Sequence, residues 1–205
     1  MIKKFFTNCA KPEGLMGKMV IGGMNRGHKS LFDWTLPHMH LKSDDSVLDV
    51  GCGGGANISY MLKICANGRV DGIDYSPLSV EQSIKKNSAE IGRRCTVKQA
   101  DVSAIPFEDA SYDVVTAFET IYFWSDMPRA FAEIKRLLKP NGRFVVTCEM
   151  GDPSNTTWTN MIDSMTIYSG MDIQKQLEEA GFTNVALYEK KDWFCVVARK
   201  GNKND

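Results

Sequence analysis

Three acids stand where three successive apolar runs give out: Asp49 within Val47-Leu48-Asp49-Val50, Asp74 at the end of Arg69-Val70-Asp71-Gly72-Ile73-Asp74, and Asp101 just past residues 95–99. A fourth acid, Glu119, follows the mostly apolar residues 113–118. Between the first two lies Gly51-Cys52-Gly53-Gly54-Gly55, four glycines in five residues. Glycine at such a turn lets the backbone take positive φ and lets a ligand approach with no Cβ in the way. A carboxylate such as Asp74 can accept from both vicinal hydroxyls of a ribose. It is free to do so because Ser76-Pro77 already supplies the cap and first position of the next helix. Gly51, Gly53 and Ala56, with Asp74 about 20 residues on, also satisfy the dinucleotide fingerprint. Asp49 weighs against that ligand, since it would aim negative charge at a pyrophosphate, whereas a ligand with a cationic end would be attracted.

The elements that must hold these acids follow from periodicity. An apolar run ending in glycines, followed by Ile58, Met61, Leu62 and Cys65 at helical spacing, predicts a buried strand at about 46–50, a turn, and a helix at about 56–66 closed by Asn67-Gly68. A strand at 69–74, a helix from Pro77 to about Ile91 with Val80, Ile84 and Ala89 inward, and strands at 95–99 and 113–118 continue the alternation. Asp126, Met127 and Pro128 open a helix whose buried stripe is Phe131, Ile134, Leu137 and Leu138. Asn141-Gly142 turns it into a strand at 144–148. Beyond Gly151-Asp152-Pro153, residues Trp158, Met161, Ile162 and Met165 predict a short amphipathic helix. A helix at 171–180 and two strands, 185–189 and 193–198, joined by Lys190-Lys191-Asp192 as an antiparallel hairpin, complete the chain.

Residues 1–43 differ from the rest: Leu15, Met16, Met19, Val20 and Met24 recur at helix-like intervals broken by Gly22-Gly23, and Leu31, Trp34, Leu36 and Met39 predict a second helix that Pro37 kinks or ends. This segment is expected to be a helical extension, serving as a lid, as core, or as both. The domain proper spans 44–200, with 150–169 inserted over the site and 201–205 a frayed tail.

Leu48-Asp49-Val50-Gly51-Cys52-Gly53-Gly54-Gly55 resembles the first motif of class I methyltransferases that use S-adenosylmethionine (SAM), whose sulfonium and α-ammonium suit a site with acids beside its glycine loop. The stretch from Ile105 to Val115, the turn Leu138-Lys139-Pro140-Asn141-Gly142-Arg143 and the closing hairpin are similar to the same family, over about 45–200. The resemblance implies an α/β, Rossmann-like, doubly wound seven-stranded sheet, mostly parallel with an antiparallel C-terminal edge hairpin. It implies SAM as cofactor and S-adenosylhomocysteine (SAH) as product, held by Asp49, Gly51, Cys52, Gly53, Asp74, Tyr75, Asp101, Val102 and Glu119. Asp101 would accept from the adenine amino group while the backbone beside it, at Val102, meets a ring nitrogen. In a doubly wound sheet ligands lie beyond the carboxyl ends of the strands, so Glu119, Tyr122 and Trp124 are expected to face the acceptor, with Trp158 and Met161 as a second wall. The aromatic cluster also fits plain core packing. Glu119 and His28 are the candidate general bases. No (Asn/Asp)-Pro-Pro-(Tyr/Phe) sequence follows Phe118, which removes the feature with which related enzymes stack planar amino groups.

Lys plus Arg and Asp plus Glu both number 25 in 205 residues, so no net charge draws the chain to nucleic acid. A small-molecule acceptor is expected, with the chain acting as monomer or homodimer. Six scattered cysteines form no C-x-x-C pair, which predicts reduced, mostly structural thiols and no metal site. Met1-Ile2-Lys3-Lys4-Phe5-Phe6 lacks a following apolar segment and no apolar run approaches 18 residues, so a cytoplasmic protein without a membrane span is expected. Two other readings stay open: a binding module that holds SAM without catalysis, and a nicotinamide-dependent oxidoreductase.

Overall fold

A computed structural model describes residues 28–162 and 164–201, together with Gly14 and Gly17. The first expected helix, with most of the N-terminal extension, lies outside the described residues, as do 202–205 of the tail. In chain order the elements are α1 (Lys29–Met39), β1 (Ser46–Val50), α2 (Ala56–Ile64), β2 (Arg69–Asp74), α3 (Pro77–Lys86), β3 (Val97–Gln99), β4 (Tyr112–Phe118), a single 3-10 turn (Ile121–Phe123), α4 (Met127–Leu137), β5 (Leu138–Cys148), α5 (Gly170–Glu179), β6 (Phe182–Lys190) and β7 (Trp193–Lys200). The strands form one sheet in the order β3-β2-β1-β4-β5-β7-β6, parallel except where β7 runs against β5 and β6. The order reverses at β1, with β2 on one side and β4 on the other, and such a switch point opens a crevice at the strand ends.

Both faces of the sheet are covered because its central strands are apolar on both sides. Leu48, Val50, Val115 and Ala117 pack with Phe131, Ile134 and Leu137 of α4 and Ile173 and Leu177 of α5. The alternate residues Val47, Val114 and Phe118 pack with Leu31, Phe32 and Met39 of α1 and Ile58, Met61 and Leu62 of α2. That second cluster assigns α1 to the core of the domain.

Four expectations need correction. The helix after Pro77 stops at Lys86, and its buried side is Ser79 and Ser83, with Ile84 exposed. The glycine loop packs closely on this face, since a Cβ at Gly55 would lie 2.3 Å from Ser83 Oγ, and small side chains leave room for that approach. Residues around 153–162 form turns in place of the expected amphipathic helix, as the two neighbouring Asx turns, at Asp152 and Asn155, divert the backbone. Strand β5 begins at Leu138, and the Asn141-Gly142 turn survives as an irregularity in its pairing with β4, with Asn141 at φ 61°. Finally, Pro37 leaves α1 intact, since the backbone bond it forfeits falls in the last turn.

Candidate functional site

At the carboxyl ends of β1, β2, β3 and β4 lies a cavity of about 430 Å³, within the usual range for small-ligand pockets. Its floor is the glycine loop, and the three glycines with positive φ there have separate tasks. Gly51, at φ 75°, presses against the turn just past β4, where an added Cβ would stand 2.3 Å from Thr120 Cγ2. Gly55, at φ 74°, lies against α3, which Asn87 secures by donating from Nδ2 to the Gly55 carbonyl at 3.1 Å. Gly53, at φ 52°, meets nothing within 4 Å, so its open side belongs to whatever fills the cavity. The first residues of α2, Ala56 and Asn57, also line it and turn the positive end of a helix inward.

Asp74 holds the loop in place. Its carboxylate accepts from the Gly53 N–H and the Ser76 N–H, each at 2.8 Å, and it lines the cavity. Burial raises its pKa against the lowering effect of those two bonds. Asp101 accepts from Ser103 Oγ at 2.6 Å and from the Ser103 N–H at 2.8 Å, which lowers its pKa and fixes its side chain at the cavity rim. Gly51, Cys52, Gly53, Tyr75, Val102, Glu119, His28 and Trp124 line the same cavity.

Asp49 does not. It is 1% exposed beneath the loop, accepts from Thr116 Oγ1 at 2.8 Å, and is pushed up to about 7 by burial. Because a strand alternates its faces, the residue two before Gly51 points into the sheet's side rather than along the strand toward the ligand. Tyr122 is also placed behind the cavity wall, 2% exposed, where its hydroxyl donates to Glu119 Oε1 and accepts from the Met150 N–H, both at 3.1 Å. Trp158 lines a separate small hollow beside Glu149, and Met161 packs against the core. Ser164 is the residue of that segment which reaches the main cavity.

Glu119 closes β4 in a left-handed conformation, φ 59°, which a non-glycine residue adopts at a cost of about 1–2 kcal/mol. Its own N–H donates to the Thr147 carbonyl at 3.0 Å, and its Oε1 also accepts a short bond from the Glu149 N–H. Desolvation pushes it up to about 8. His28 faces it across the cavity, with burial lowering its pKa and keeping the imidazole neutral at pH 7. Among the described residues the lining carries Asp74, Asp101, Glu119 and Asp126 and neither Lys nor Arg. The buried thiols of Cys52, Cys65, Cys95, Cys148 and Cys195 are all free and all shifted upward, as structural cysteines are.

Sequence reasoning missed Ser79, Ser83 and Asn87, whose i, i+4, i+8 spacing puts a polar stripe on the face of α3 toward the loop and runs one residue past its end. The periodicity was there to read, but a polar stripe on a helix is ordinarily its solvent face.

Residues 48–146 match the family described as "Methyltransferase domain". Phosphoethanolamine N-methyltransferase 1 of Arabidopsis thaliana is 30% identical over 169 residues, which are 79% of this chain and 33% of that protein. Demethylmenaquinone methyltransferase of Lactobacillus johnsonii is 27% identical over 75% of this chain and 62% of that one. The chain thus spans about a third of the first and under two thirds of the second. The crystal structure of a SAM-dependent methyltransferase from Aquifex aeolicus superposes with a TM-score of 0.75 at 23% identity, covering 88% of this chain and 97% of that one. Residues 48–146 thus match a methyltransferase domain, and with its glycine loop between β1 and α2 and its sheet closed by an antiparallel pair the chain has the fold of the class I SAM-dependent methyltransferases it resembles.

Proposed function

We propose that the chain transfers the methyl group of SAM to a small-molecule acceptor in the cavity beyond β1, β2 and β4. One observation carries this reading: a cavity of nucleotide size whose described lining holds four carboxylates and neither Lys nor Arg. A dinucleotide's pyrophosphate would find no countercharge there, while a sulfonium would.

In this reading Asp74 receives the ribose hydroxyls, and Asp101 and the backbone at Val102 receive the adenine. The amides opening α2 receive the amino acid carboxylate, and the sulfonium lies toward Glu119. The acceptor enters between His28, Phe123, Trp124 and Ser164. Its lone pair forms the new bond to the methyl carbon as the carbon–sulfur pair returns to sulfur, leaving neutral SAH. The leaving group is already activated, so holding the two reactants in line supplies about 7–11 kcal/mol of the barrier. Where the acceptor must lose a proton, His28 and Glu119 are the groups that meet it, contributing about 10²–10⁴-fold. The relatives' names, phosphoethanolamine and demethylmenaquinone methyltransferase, support an acceptor of metabolite size.

Calorimetric titration with SAM, SAH and NAD tests the cofactor, and NAD binding with none for SAM refutes the reading. Incubation with labelled SAM and metabolite fractions tests transfer. Absence of any acceptor-dependent product with SAM bound assigns the chain a binding role alone.

A further inference from the structure

Glu149 follows β5 as Glu119 follows β4, and the pairing of the two strands brings the two carboxylates together at the same end of the sheet. His28 closes the group from the other side, and a ligand atom from each of the three lies within 4.8 Å of the others. The Glu119 carboxylate is oriented by three protein contacts: Tyr122 Oη and the Glu149 N–H both donate to Oε1, and the Met150 N–H holds Tyr122 in turn. No described residue donates to its second oxygen, and the imidazole of His28 has no hydrogen-bond partner among the described residues. Both side chains border the cavity. No Lys or Arg among the described residues forms an ion pair with either Glu119 or Glu149. Two carboxylates facing each other without a countercharge, completed by one imidazole lone pair, form a donor set for a cation rather than for another anion.

We infer that His28, Glu119 and Glu149 bind one divalent transition-metal cation, at the end of the cavity where the methyl acceptor enters. An imidazole with carboxylates suits manganese, iron or zinc, and donors bound to one such ion at about 2.0–2.2 Å stand ~3 Å apart. Closing from at most 4.8 Å to that spacing is a shift on the scale of side-chain rotation. Three protein donors leave positions open toward the cavity, as in metal sites that work on a bound molecule. Resting on the methyltransferase reading, this makes the acceptor an oxygen compound whose hydroxyl completes the coordination. Its proton then passes to solvent water, the oxygen's pair forms the bond to the methyl carbon, and the carbon–sulfur pair returns to sulfur. His28 then serves as a ligand and Glu119 as a ligand, and the bound cation does the acidifying.

The test is titration of Mn²⁺ into the chelator-treated chain, followed by electron paramagnetic resonance and by calorimetry, with Zn²⁺ in a parallel arm. One ion per chain is expected, with affinity lowered at least tenfold in both Glu149→Gln and His28→Ala. Thermal unfolding of each variant without metal separates lost binding from lost folding, and His28, at the start of α1, is the safer of the two. No saturable Mn²⁺ or Zn²⁺ binding, or binding that both folded variants retain, overturns the inference. SAM titrated into the same samples keeps the two ideas apart: SAM bound without metal overturns the cation site alone, and metal bound without SAM overturns the methyltransferase reading alone.

Discussion

Replacing Asp74 by Ala removes a carboxylate with two separable jobs, and the geometry says how each will read out. Its bonds from the Gly53 and Ser76 N–H groups, both 2.8 Å, exist before any ligand arrives, so their loss lowers the stability of the loop in the free protein. Each hydrogen bond to a charged group contributes about 1.5–3 kcal/mol. The remaining lone pairs face the cavity, where a ribose offers two hydroxyls. A loss of at least about 1.5 kcal/mol in affinity is expected, roughly tenfold or more in Kd. Calorimetry with SAM and with SAH should show the same loss for both, because both carry the ribose. Asp74→Asn, which keeps one acceptor oxygen, should fall between the variant and the parent. Thermal unfolding without ligand reports the loop contribution separately. A folded Asp74→Ala chain that binds both ligands within twofold of the parent refutes the assignment of Asp74 to the ribose.

The glycines of the loop should separate stability from binding. Gly51→Ala forces a Cβ against Thr120 Cγ2 and should destabilise the fold by about 2–4 kcal/mol in chemical unfolding. Gly53→Ala meets no protein atom, so it should cost only the about 1–2 kcal/mol of its positive φ and instead weaken SAM binding by displacing the ligand, a split that equal effects at the two positions would contradict. Asp49 gives a pH signature: with its pKa pushed up to about 7 in the fold from an ordinary 3.8, the native state holds the extra proton between those values. Its stabilising share is complete below about pH 4 and is lost as pH rises through 7, a fall of up to about 4 kcal/mol that unfolding curves across pH should show and Asp49→Asn should flatten. Arg136 ties α4 to the loop that carries Asp101, donating to the Ile105 and Phe107 carbonyls, to Glu133 and to the exposed Asp109. Arg136→Ala should cost about 1–3 kcal/mol, and hydrogen exchange should quicken at 103–110 while the β1 amides stay protected.

Much of the framework was legible because it rests on local signals. The mostly apolar stretches at 46–50 and 113–118 read as buried strands, and the Lys190-Lys191-Asp192 connection was too short for anything but an antiparallel pair. The acids Asp74 and Asp101 line the cavity for the same reason, since a strand's end in such a sheet faces the crevice. The residues misplaced by the sequence depend on direction instead. Whether Asp49 looks at the ligand or away from it, and whether Tyr122 lines the pocket or braces Glu119 from behind, is decided by which face of a strand or turn meets the cavity. Trp158 and Met161 failed as a helix stripe because the turns at Asp152 and Asn155 compete locally with helix geometry.

By itself the sequence determined the glycine loop, the succession of strands and helices, and the acids at the strand ends, because each follows from the steric freedom of glycine or the period of a buried pattern. Only the tertiary structure decided that Glu149, 30 residues beyond Glu119, shares its site, and that His28 closes the group from the helix packed on the sheet's other side. No spacing along the chain encodes that meeting. It arises where the parallel pairing of β4 with β5 sets two strand ends side by side, and where α1, held by Leu31 and Phe32 in the core, brings the residue just before it, His28, to the cavity.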